Sequence, residues 1–436
     1  METLPQFVSW LRSVAPYVHA FRGKTFVIAF PGELVMEGIL TTLAHDVSLL
    51  HALGIHIVLV HGFRPQVEEQ IALRKRESQF YKGTRVTDAV ALECAKEAVG
   101  EIRLDIEGAF SQGLPNTPMA HAEIRIISGN FVTATPLGII DGVDMQLTGK
   151  TRTVAYESIH AILASGDLVL ISPLGFSRTG EVFNLRMEDV ALSTALAIHA
   201  HKLVFLTETP LVPDEGGEDI HEMTTVQAKK IIASKRLPDN AERYLRAAAE
   251  ACLGGVARAH IVPYATDGAI LLEIFTHDGV GTLITNENID ILREATISDI
   301  GSILQLIEPY EENGTLVKRG RELLEREIDN FSVLEHDGVI FGCAALYPFP
   351  DEKMAEMACL IVAPDVQGEG EGERILLHIE NRARAKGFSH LFILTTQTAH
   401  WFLRRGFVYG SVRDLPQNRQ LIYNWQRRSQ VLIKKL

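Results

Sequence analysis

Short apolar runs alternate along the chain with longer segments in which apolar residues recur at helical spacing. Five of the apolar runs read KTFVIAF, IHIVLVHG, DLVLISPLG, KLVFLTE and RAHIVPY. Helical segments include LTTLAHDVSLLHALG, which predicts a glycine cap at its end, and DNAERYLRAAAEACLGG, which predicts an Asp or Asn cap at its start. Strands that alternate with helices are typical of a mainly parallel sheet covered on both faces. The pattern therefore predicts an α/β domain over roughly residues 20 to 283.

The pattern changes after GVGTLITNENIDI. The segment LREATISDIGSILQLIEPYEENG predicts a short strand and then a helix opened by Ser298 or Asp299, and FSVLEHDGVIFGCAALYPF predicts two strands joined by an Asp-Gly turn. A further strand, MACLIVAP, leads through a glycine-rich loop into another helix. We predict a first domain over residues 1–284, a polar linker over 285–290 and a smaller mixed α/β domain over 291–436.

Composition and charge narrow the functional classes. At 436 residues the chain exceeds what one hydrophobic core organises, and 46% apolar with 22% charged residues is typical of folded proteins. The net charge of -13, without a concentrated basic patch, disfavours a nucleic-acid partner. No apolar run approaches the roughly 18 residues of a membrane span, and METLPQFVSW lacks the basic start of a signal peptide. We therefore expect no membrane partner and a cytoplasmic location.

The cysteines give no sign of a metal centre. Cys94, Cys252, Cys343 and Cys359 are scattered, with no CxxC pair and no histidine at ligand spacing. We expect reduced, mostly buried thiols and no metal.

The segment VQGEGEGERILLHIE, which starts at residue 366, sets three glycines among three glutamates just before a helix. Bare backbone N–H groups and the helix dipole favour an anion there, whereas the glutamates favour a solvated acidic turn. Together with the preceding strand ACLIVAP, the pattern Q-x-x-G-x-G resembles the coenzyme A loop of the GNAT acetyltransferases, and FLRRGF at 402–407 resembles that family's second landmark. The resemblance implies acetyl-coenzyme A as co-substrate. The residues that it implies for binding are Ile361, Val362, Gln367, Gly368, Gly370 and Gly372.

The N-terminal segments YVHAFRGKTFVIAFPGE, IHIVLVHGFRPQV, KGTRVTD and AILLEIFTHDGVGT together resemble the amino-acid kinase family, and acetylglutamate kinases most closely. The resemblance implies a three-layer sandwich around a mainly parallel sheet. It fails where phosphoryl transfer takes place, because a lysine and glycine pair are replaced by AFPG at 29–32, a glycine run by FRP at 63–65, and a second lysine by Tyr244. Without a cation for the transferred phosphoryl group we expect no kinase activity.

A kinase-like domain with a dismantled site, joined to a GNAT domain, resembles the bacterial N-acetylglutamate synthases over nearly the whole chain. This resemblance implies transfer of acetyl from acetyl-coenzyme A to L-glutamate in arginine biosynthesis, with L-arginine as feedback inhibitor. It also implies a homo-oligomer, commonly a hexamer. Three alternatives stay open: another amino-acid N-acetyltransferase, a bifunctional synthase and kinase, and an arginine-sensing regulator with a vestigial acetyltransferase loop.

The same resemblance implies two catalytic residues. An amine must lose a proton before it attacks a thioester, and Glu356 matches the family's general base, the alternative being a solvated glutamate at a strand end. The tyrosine that serves many GNAT enzymes as acid is Phe402 here. Thr395 matches a hydroxyl that could serve instead, and a buried strand threonine is the competing interpretation.

The resemblance also implies binding residues for both amino acids. The two carboxylates of glutamate call for cationic anchors, and Lys318, Arg319 and Arg428 match them, with Arg321 and Arg427 as close competitors. Cys359 either lends backbone groups to the substrate or packs in the core.

For arginine, four residues match the effector segment of arginine-sensitive kinases: Tyr17, His260, Glu273 and Gly279. Glu273 is the expected carboxylate partner of the guanidinium. His260 is otherwise a core histidine.

Overall fold

The chain was analysed as a computed structural model that describes residues 4–112, 124–208, 212–213, 219–234, 237–276, 279–286, 291–336, 338–368 and 370–436. It divides into two compact units, Phe21–Asn288 and Ile289–Leu436, and Met1–Ala20 is grouped with the second of these. Most of the predicted linker, 285–290, lies outside the described residues, so the predicted domain limits 1–284 and 291–436 stay a prediction.

The helices and strands of the described residues are given separately below, each set in chain order. The helices are α1 (Leu4–Phe21), α2 (Gly32–Met36), α3 (Leu40–Ala52), α4 (Arg64–Leu73), α5 (Ala89–Ser111), α6 (Tyr156–Ala164), α7 (Met187–Ala197), α8 (Thr225–Ala233), α9 (Asp239–Leu253), α10 (Ala269–Phe275), α11 (Ile300–Glu312), α12 (Arg321–Glu327), α13 (Glu371–Ala385), α14 (Ala399–Leu403) and α15 (Gln417–Leu421). The strands of the larger unit are β1 (Thr25–Phe30), β2 (His56–His61), β3 (Gln79–Tyr81), β4 (Thr84–Val86), β5 (Ile126–Ser128), β6 (Val132–Pro136), β7 (Ile139–Ile140), β8 (Val143–Asp144), β9 (Gly149–Val154), β10 (Leu168–Ile171), β11 (Leu174–Phe176), β12 (Val182–Asn184), β13 (Lys202–Thr207), β14 (Val212–Pro213), β15 (Asp219–Ile220), β16 (Glu222–Thr224), β17 (Arg258–Pro263) and β18 (Thr282–Thr285). Those of the smaller unit are β19 (Ile291–Glu294), β20 (Phe331–His336), β21 (Val339–Phe349), β22 (Met354–Val362), β23 (His390–Thr395), β24 (Val408–Gly410) and β25 (Gln430–Lys435).

The larger unit is built on an eight-stranded sheet in the order β16-β18-β17-β13-β1-β2-β10-β5. Every neighbouring pair is parallel except β17 with β18. The central strands are buried along almost their whole length, which explains why they read as continuous apolar runs. One sheet face packs against α6, α7, α8 and α9, and α3 and α10 contact other strands of the sheet. The mainly parallel sheet of a three-layer sandwich is confirmed.

Two helix ends differ in detail from the sequence expectation. The helix α3 has Leu53 as its C-cap, and the glycine after it, Gly54, takes the left-handed φ of 90° that follows many helix ends. The helix α9 is preceded by Pro238, so the expected Asp or Asn cap is wrong. Asp239 lies in the first turn instead, where its charge complements the helix dipole.

The smaller unit is a seven-stranded mixed sheet in the order β19-β20-β21-β22-β23-β25-β24. The pair β22 and β23 is parallel and the others are antiparallel. The helices α11 and α12 pack with one face of this sheet, and α13 and α14 pack with the other. The predicted smaller mixed α/β fold is confirmed, as are the two strands either side of the predicted Asp-Gly turn.

The helix α11 begins directly after Asp299, one of the two residues predicted to open it, and Thr296 is the capping partner that the sequence interpretation did not select. Thr296 and Asp299 exchange side-chain-to-backbone hydrogen bonds across a short 3-10 turn, Ile297–Asp299, that leads into the helix. Ser298 makes its side-chain bond to Thr296 instead.

Three further features concern the described part of the chain as a whole. None of its helices is long and apolar enough to cross a membrane. The same residues contain no group of three or more His, Cys, Asp or Glu side chains arranged to hold a metal ion. The four cysteines are free and buried.

Burial of one carboxyl group in the larger unit lowers the stability of the folded chain by an amount that depends on pH. Asp46 on α3 is 9% exposed, and burial, followed by the charge of Asp267, raises its pKa from 3.8 to about 6. The folded chain therefore binds this proton more tightly than the unfolded chain. Stability is lost as the pH rises from the unfolded value through the folded one, and the loss is complete above it.

We expect Asp46→Asn to stabilise the larger unit by about 1 to 3 kcal/mol at pH 8 and by much less at pH 4, because the amide carries no charge to bury. Thermal unfolding of parent and variant at both pH values measures this. Asp105→Asn, at an exposed site on α5, serves as the control and should change stability little at either pH. An Asp46→Asn gain that does not grow with pH would contradict the assignment.

Candidate active site

A cleft opens in the smaller sheet where two parallel strands part. The ladder between β22 and β23 covers only Met354–Glu356 against His390–Phe392. Beyond that point β23 continues to pair with β25 on its other side, while the rest of β22 pairs with β21. The facing edges of β22 and β23 are therefore left unpaired with each other after Glu356. An extended arm with amide groups can pair with such an edge.

The strand β22 carries an irregularity inside this cleft. Its register against β21 shifts, so that Cys343 lies opposite Ile361 but Ala345 lies opposite Ala358. Cys359 sits in this bulge with a left-handed φ of 57°, uncommon for a residue with a side chain. A bulge leaves its extra residue out of the ladder, so backbone groups at Cys359 are not paired in the regular way with β21.

The glycine loop connects the end of β22 to the start of α13. The Gln367 side chain donates hydrogen bonds to the carbonyl of Val362 at 2.8 Å and to the Tyr310 hydroxyl at 2.9 Å. Gly368 and Gly370 take φ values of 108° and 100°, and a Cβ at either would meet nothing within 4 Å. Gln367 thus braces the loop, and the two glycines shape a backbone that leaves open space at its surface.

The helix after the loop begins without a side-chain cap, because its N-cap residue is Gly370. Its first amides and its dipole therefore favour an anion. The glutamates do not cancel this: Glu371 accepts two hydrogen bonds from Arg374 at 2.9 and 3.0 Å, and Glu373 pairs with Arg405 at 2.9 Å. Glu369 lies outside the described residues. The arrangement favours the anion cradle over the solvated acidic turn.

Gly372, the third glycine of the motif, has a different local role. A Cβ at Gly372 would lie 3.3 Å from the ring of Trp401, so its absence lets α13 approach α14 closely. Trp401 in turn lies under the Arg405 guanidinium at 3.8 Å. Packing is therefore sufficient to explain this glycine, and its predicted contact with the cofactor stays a prediction.

Glu356 lies at the point where the strands part. It is 7% exposed, so it is not the solvated strand-end glutamate of the alternative interpretation. Arg419 on α15 donates to both of its oxygens, with Nε to Oε2 at 2.5 Å and Nη2 to Oε1 at 3.0 Å. Sequence reasoning missed Arg419, which lies 63 positions away from Glu356.

Arg319 belongs to the same cluster. Burial opposes its charge, yet Cys359, Tyr347 and Glu356 together raise the pKa of its guanidinium. Tyr347 is opposite Glu356 in the ladder, and its hydroxyl donates a hydrogen bond to Glu327 at 2.9 Å. The predicted residues Arg319, Glu356 and Cys359 are therefore brought together.

Cys359 has a thiol partner in the core. The Cys343 thiol hydrogen-bonds to the Cys359 sulfur, and this bond, together with nearby Arg319, lowers the pKa of Cys359 against the effect of burial. Cys343 also approaches the Cys359 carbonyl at 3.7 Å. Core packing is therefore observed at Cys359, and its predicted backbone contribution to the substrate stays a prediction.

The remaining cationic candidates occupy different environments. Arg427 donates to the carbonyls of Gly314 and Thr315, and its pKa is lowered by burial and then by the charge of Arg319. Lys318 and Arg428 are exposed, and Arg321 pairs with Glu325 on the surface of α12. Arg427 therefore lies close enough to Arg319 for the two positive charges to repel each other.

Thr395 is the last residue of β23 and is half-buried. Its hydroxyl oxygen accepts from the amides of Gln397 at 3.4 Å and Thr398 at 3.1 Å, and it shares a 2.8 Å hydrogen bond with the Thr398 hydroxyl. If the Thr398 hydroxyl is the donor in that bond, the Thr395 proton is left for another acceptor. The geometry is compatible with the predicted role and with a turn-capping role.

Three of the four predicted effector residues meet in the larger unit. His260 Nδ1 lies 2.6 Å from Glu273 Oε1, and Glu273 Oε2 accepts from the amides of Val280 at 2.9 Å and Gly281 at 2.8 Å. Burial acts against the charge of Glu273, yet these hydrogen bonds, led by that of His260, hold its pKa below the ordinary value. A Cβ at Gly279, which has φ 62°, would lie 2.5 Å from Glu273 Oε2. Tyr17 is buried on α1 in the other unit.

The residues that replace the kinase's catalytic groups are largely apolar. Ala29 is fully buried in the core of β1, and the ring of Tyr244 lies 5.4 Å from that of Phe205. Burial, followed by the Glu188 charge, raises the pKa of Tyr244. The cavity that remains measures about 120 Å³ and is lined in part by Phe63, well below the roughly 300 to 1,000 Å³ of typical ligand pockets.

Comparisons with known proteins bear on both units. The Amino acid kinase family matches residues 24–263, and the Acetyltransferase (GNAT) family matches residues 298–407. An amino-acid acetyltransferase of Ralstonia nicotianae is 60% identical over 431 residues, which is 99% of this chain and 96% of that one. The chain belongs to the amino-acid acetyltransferase family. Another member, from Ectopseudomonas mendocina, is 47% identical over 99% of each chain.

Solved structures agree with this family membership. The N-acetylglutamate synthase from Neisseria gonorrhoeae, complexed with coenzyme A and L-arginine, is 38% identical and covers 99% of both chains with a TM-score of 0.82. A structure of that synthase with coenzyme A and N-acetyl-glutamate gives a TM-score of 0.62. The fusion of a kinase-like and a GNAT domain is confirmed, and the chain is an N-acetyltransferase with acetyl-coenzyme A as its co-substrate.

We expect Gly370→Ala to raise the KM for acetyl-coenzyme A by about tenfold or more, because the added methyl group strains the backbone and lies on the open face where a phosphate would approach. Gly387→Ala is the matched control: Gly387 follows the other end of α13, has φ 82° and equally open surroundings. It should carry similar strain and leave that KM unchanged. Equal KM values in the parent and both variants would place the pyrophosphate elsewhere.

Proposed function

We propose that this enzyme transfers the acetyl group of acetyl-coenzyme A to the α-amine of L-glutamate, giving N-acetylglutamate and coenzyme A for arginine biosynthesis. The observation that carries the proposal is a buried carboxylate, Glu356, at the mouth of the cleft with the guanidinium groups of Arg319 and Arg419 beside it. Two cations at an amine-binding site suit an acidic amino acid. The similar synthase crystallised with N-acetyl-glutamate supports the same substrate.

The chemistry assigns one step to each group. At neutral pH the α-amine arrives as an ammonium ion, and Glu356 takes its proton so that the nitrogen lone pair can attack the thioester carbonyl. Backbone N–H groups freed by the Cys359 bulge stabilise the oxygen of the tetrahedral intermediate. The carbon–sulfur bond then breaks, and the departing thiolate takes a proton from Thr395, directly or through water. The second proton of the former ammonium group passes to Thr395 in turn, which leaves a neutral amide nitrogen.

Binding of the two substrates is divided between the loop and the cations. Gly368, Gly370 and the first amides of α13 hold the pyrophosphate, while the edge of β22 that includes Ile361 and Val362 receives the pantetheine arm. Arg319 binds a substrate carboxylate. Lys318 and Arg428, exposed at the rim, assist long-range attraction of the anion rather than close contact.

The test of the proposed function is acetyl-coenzyme A consumption with a panel of amino acids that differ in carboxylates: glutamate, aspartate, glutamine and norvaline. We expect glutamate to give the highest kcat/KM, since glutamine and norvaline lack the second charge. Equal use of glutamine would favour another amino-acid acetyltransferase. A separate assay supplies ATP and N-acetylglutamate. The buried replacements Ala29 and Tyr244 predict no phosphate transfer in it.

We expect Glu356→Gln to lower kcat by about 10²-fold or more at neutral pH with little change in the KM for acetyl-coenzyme A, because the amide cannot accept the ammonium proton. Steady-state rates with glutamate measure this. Raising the pH, which deprotonates the amine in solution, should partly restore turnover. An unchanged rate at neutral pH rules out Glu356 as the base.

L-arginine is the proposed effector, bound in the larger unit at His260, Glu273 and Gly279. Support comes from the buried carboxylate that these residues surround and from the similar synthase crystallised with L-arginine. Because Glu273 already accepts three hydrogen bonds, arginine must replace or join the His260 contact.

The proposal also includes a homo-oligomer, which the family resemblance implies is commonly a hexamer. Light scattering measures this oligomeric state. The four free thiols suit a reducing compartment such as the cytoplasm.

We expect Glu273→Ala to abolish inhibition by arginine while turnover without arginine stays close to parental, because the effector loses its carboxylate partner. Inhibition curves and calorimetric binding of arginine measure the two effects. Glu250→Ala, at an exposed position on α9, is the control and should keep parental inhibition. Parental sensitivity in Glu273→Ala would move the effector site elsewhere.

A further inference from the structure

The ion pair between Glu356 and Arg419 conflicts with the chemistry asked of Glu356. Both carboxylate oxygens accept from Arg419, at 2.5 and 3.0 Å, and the side chains are 9% and 18% exposed. A guanidinium bound in this way takes up one acceptor site on each oxygen, so an ammonium group must compete with Arg419 for Glu356. As found, the residue proposed as base is already occupied by Arg419.

The two partners differ in how firmly the fold holds them. Glu356 lies within β22, in the middle of a seven-stranded sheet, between ladders on both sides. Arg419 lies on α15, a helix of five residues that begins after Pro416, and its guanidinium also makes a long hydrogen bond of 3.5 Å to the Ile422 carbonyl. Arg419 is therefore the partner that can turn away at small cost.

An α-amino acid carries the two groups that this ion pair can exchange. Its ammonium can bind to Glu356, and its α-carboxylate, attached to the same carbon, can bind to Arg419. The exchange replaces one buried pair by two, so no charge is left buried without a partner. An amine without an α-carboxylate offers nothing to compensate Arg419.

We propose that Arg419 is a positioning residue that blocks Glu356 until the α-carboxylate of the substrate draws its guanidinium away. The inference rests on the proposed function, in which Glu356 is the base. The freed carboxylate takes one proton from the ammonium group, and the nitrogen forms the amide bond to the acetyl carbon. The carbon–sulfur bond breaks, and the second nitrogen proton balances the one that the departing thiolate takes up as coenzyme A is released. Proton transfer is thereby coupled to recognition of an α-amino acid.

The experiment compares L-glutamate with 4-aminobutyrate, which keeps the amine and the distal carboxylate but lacks the α-carboxylate. In the parent, kcat/KM for 4-aminobutyrate should be lower by about 10²-fold or more. In Arg419→Gln, kcat/KM for glutamate should fall because a contact is lost, whereas kcat for 4-aminobutyrate should rise by at least about threefold because Glu356 is free. Arg419→Lys, which cannot form the bidentate pair, should lie between them.

The controls distinguish a loss of gating in the Arg419 variants from a disturbance of their folding. Arg413→Gln, exposed in the turn before α15, should match the parent with both substrates. A parental KM for acetyl-coenzyme A in Arg419→Gln shows that the cleft is intact. If Arg419→Gln and Arg419→Lys lower both substrates by the same factor, Arg419 has only a structural role and the proposal is wrong.

The outcome also separates this inference from the proposed substrate. If the parent acetylates glutamate and the ratio to 4-aminobutyrate survives in Arg419→Gln, the gate alone fails. If the parent prefers another amino acid, glutamate is the wrong substrate. The same comparison of that amino acid with its decarboxylated amine then decides the gate.

Discussion

The acetyltransferase unit depends on the early end of one strand ladder. After Glu356, β22 and β23 no longer exchange hydrogen bonds, although both remain anchored on their outer sides. An unpaired backbone edge inside a domain is costly unless something satisfies it. A ligand with amide groups can do so, and Glu356 lies at the point where the strands diverge. The proposed binding edge for the cofactor and the position of the proposed base thus follow from one local departure from regular pairing.

The loop beyond β22 shows how acidic residues can stand beside the proposed anion site. The charge of Glu371 is offset by Arg374, one turn further along α13, and that of Glu373 by Arg405, just after the end of α14. What faces the open side of the loop is backbone. The glutamates are therefore largely neutralised by their arginine partners. For this reason the negative net charge of the chain does not indicate the local electrostatic potential at this site.

Much of the fold could be predicted from the sequence because its signals are local. Continuous apolar runs mark strands buried on both faces, and Gly368 and Gly370 mark a backbone that needs positive φ. The site was less accessible. Arg419 lies on a five-residue helix far along the chain from Glu356, and only the tertiary fold brings them together. Lys318, Arg319 and Arg428 match family positions, yet of these only Arg319 is half-buried. The competing candidate Arg427 is half-buried where its neighbour Arg428 is exposed, because adjacent side chains point in different directions.

The apolar filling of the former phosphoryl-transfer site has an evolutionary consequence. Ala29 packs in a cluster with Val27, Val58 and Phe205, so a lysine there would bring an ammonium group among aliphatic and aromatic side chains. At Tyr244 a lysine would lose the aromatic contact before it gained any phosphate to bind. Each single reversion costs stability and restores nothing, because both cations and the open loop at Phe63 are needed at once. Single substitutions therefore cannot rebuild in this domain the phosphoryl-transfer site of the kinase family.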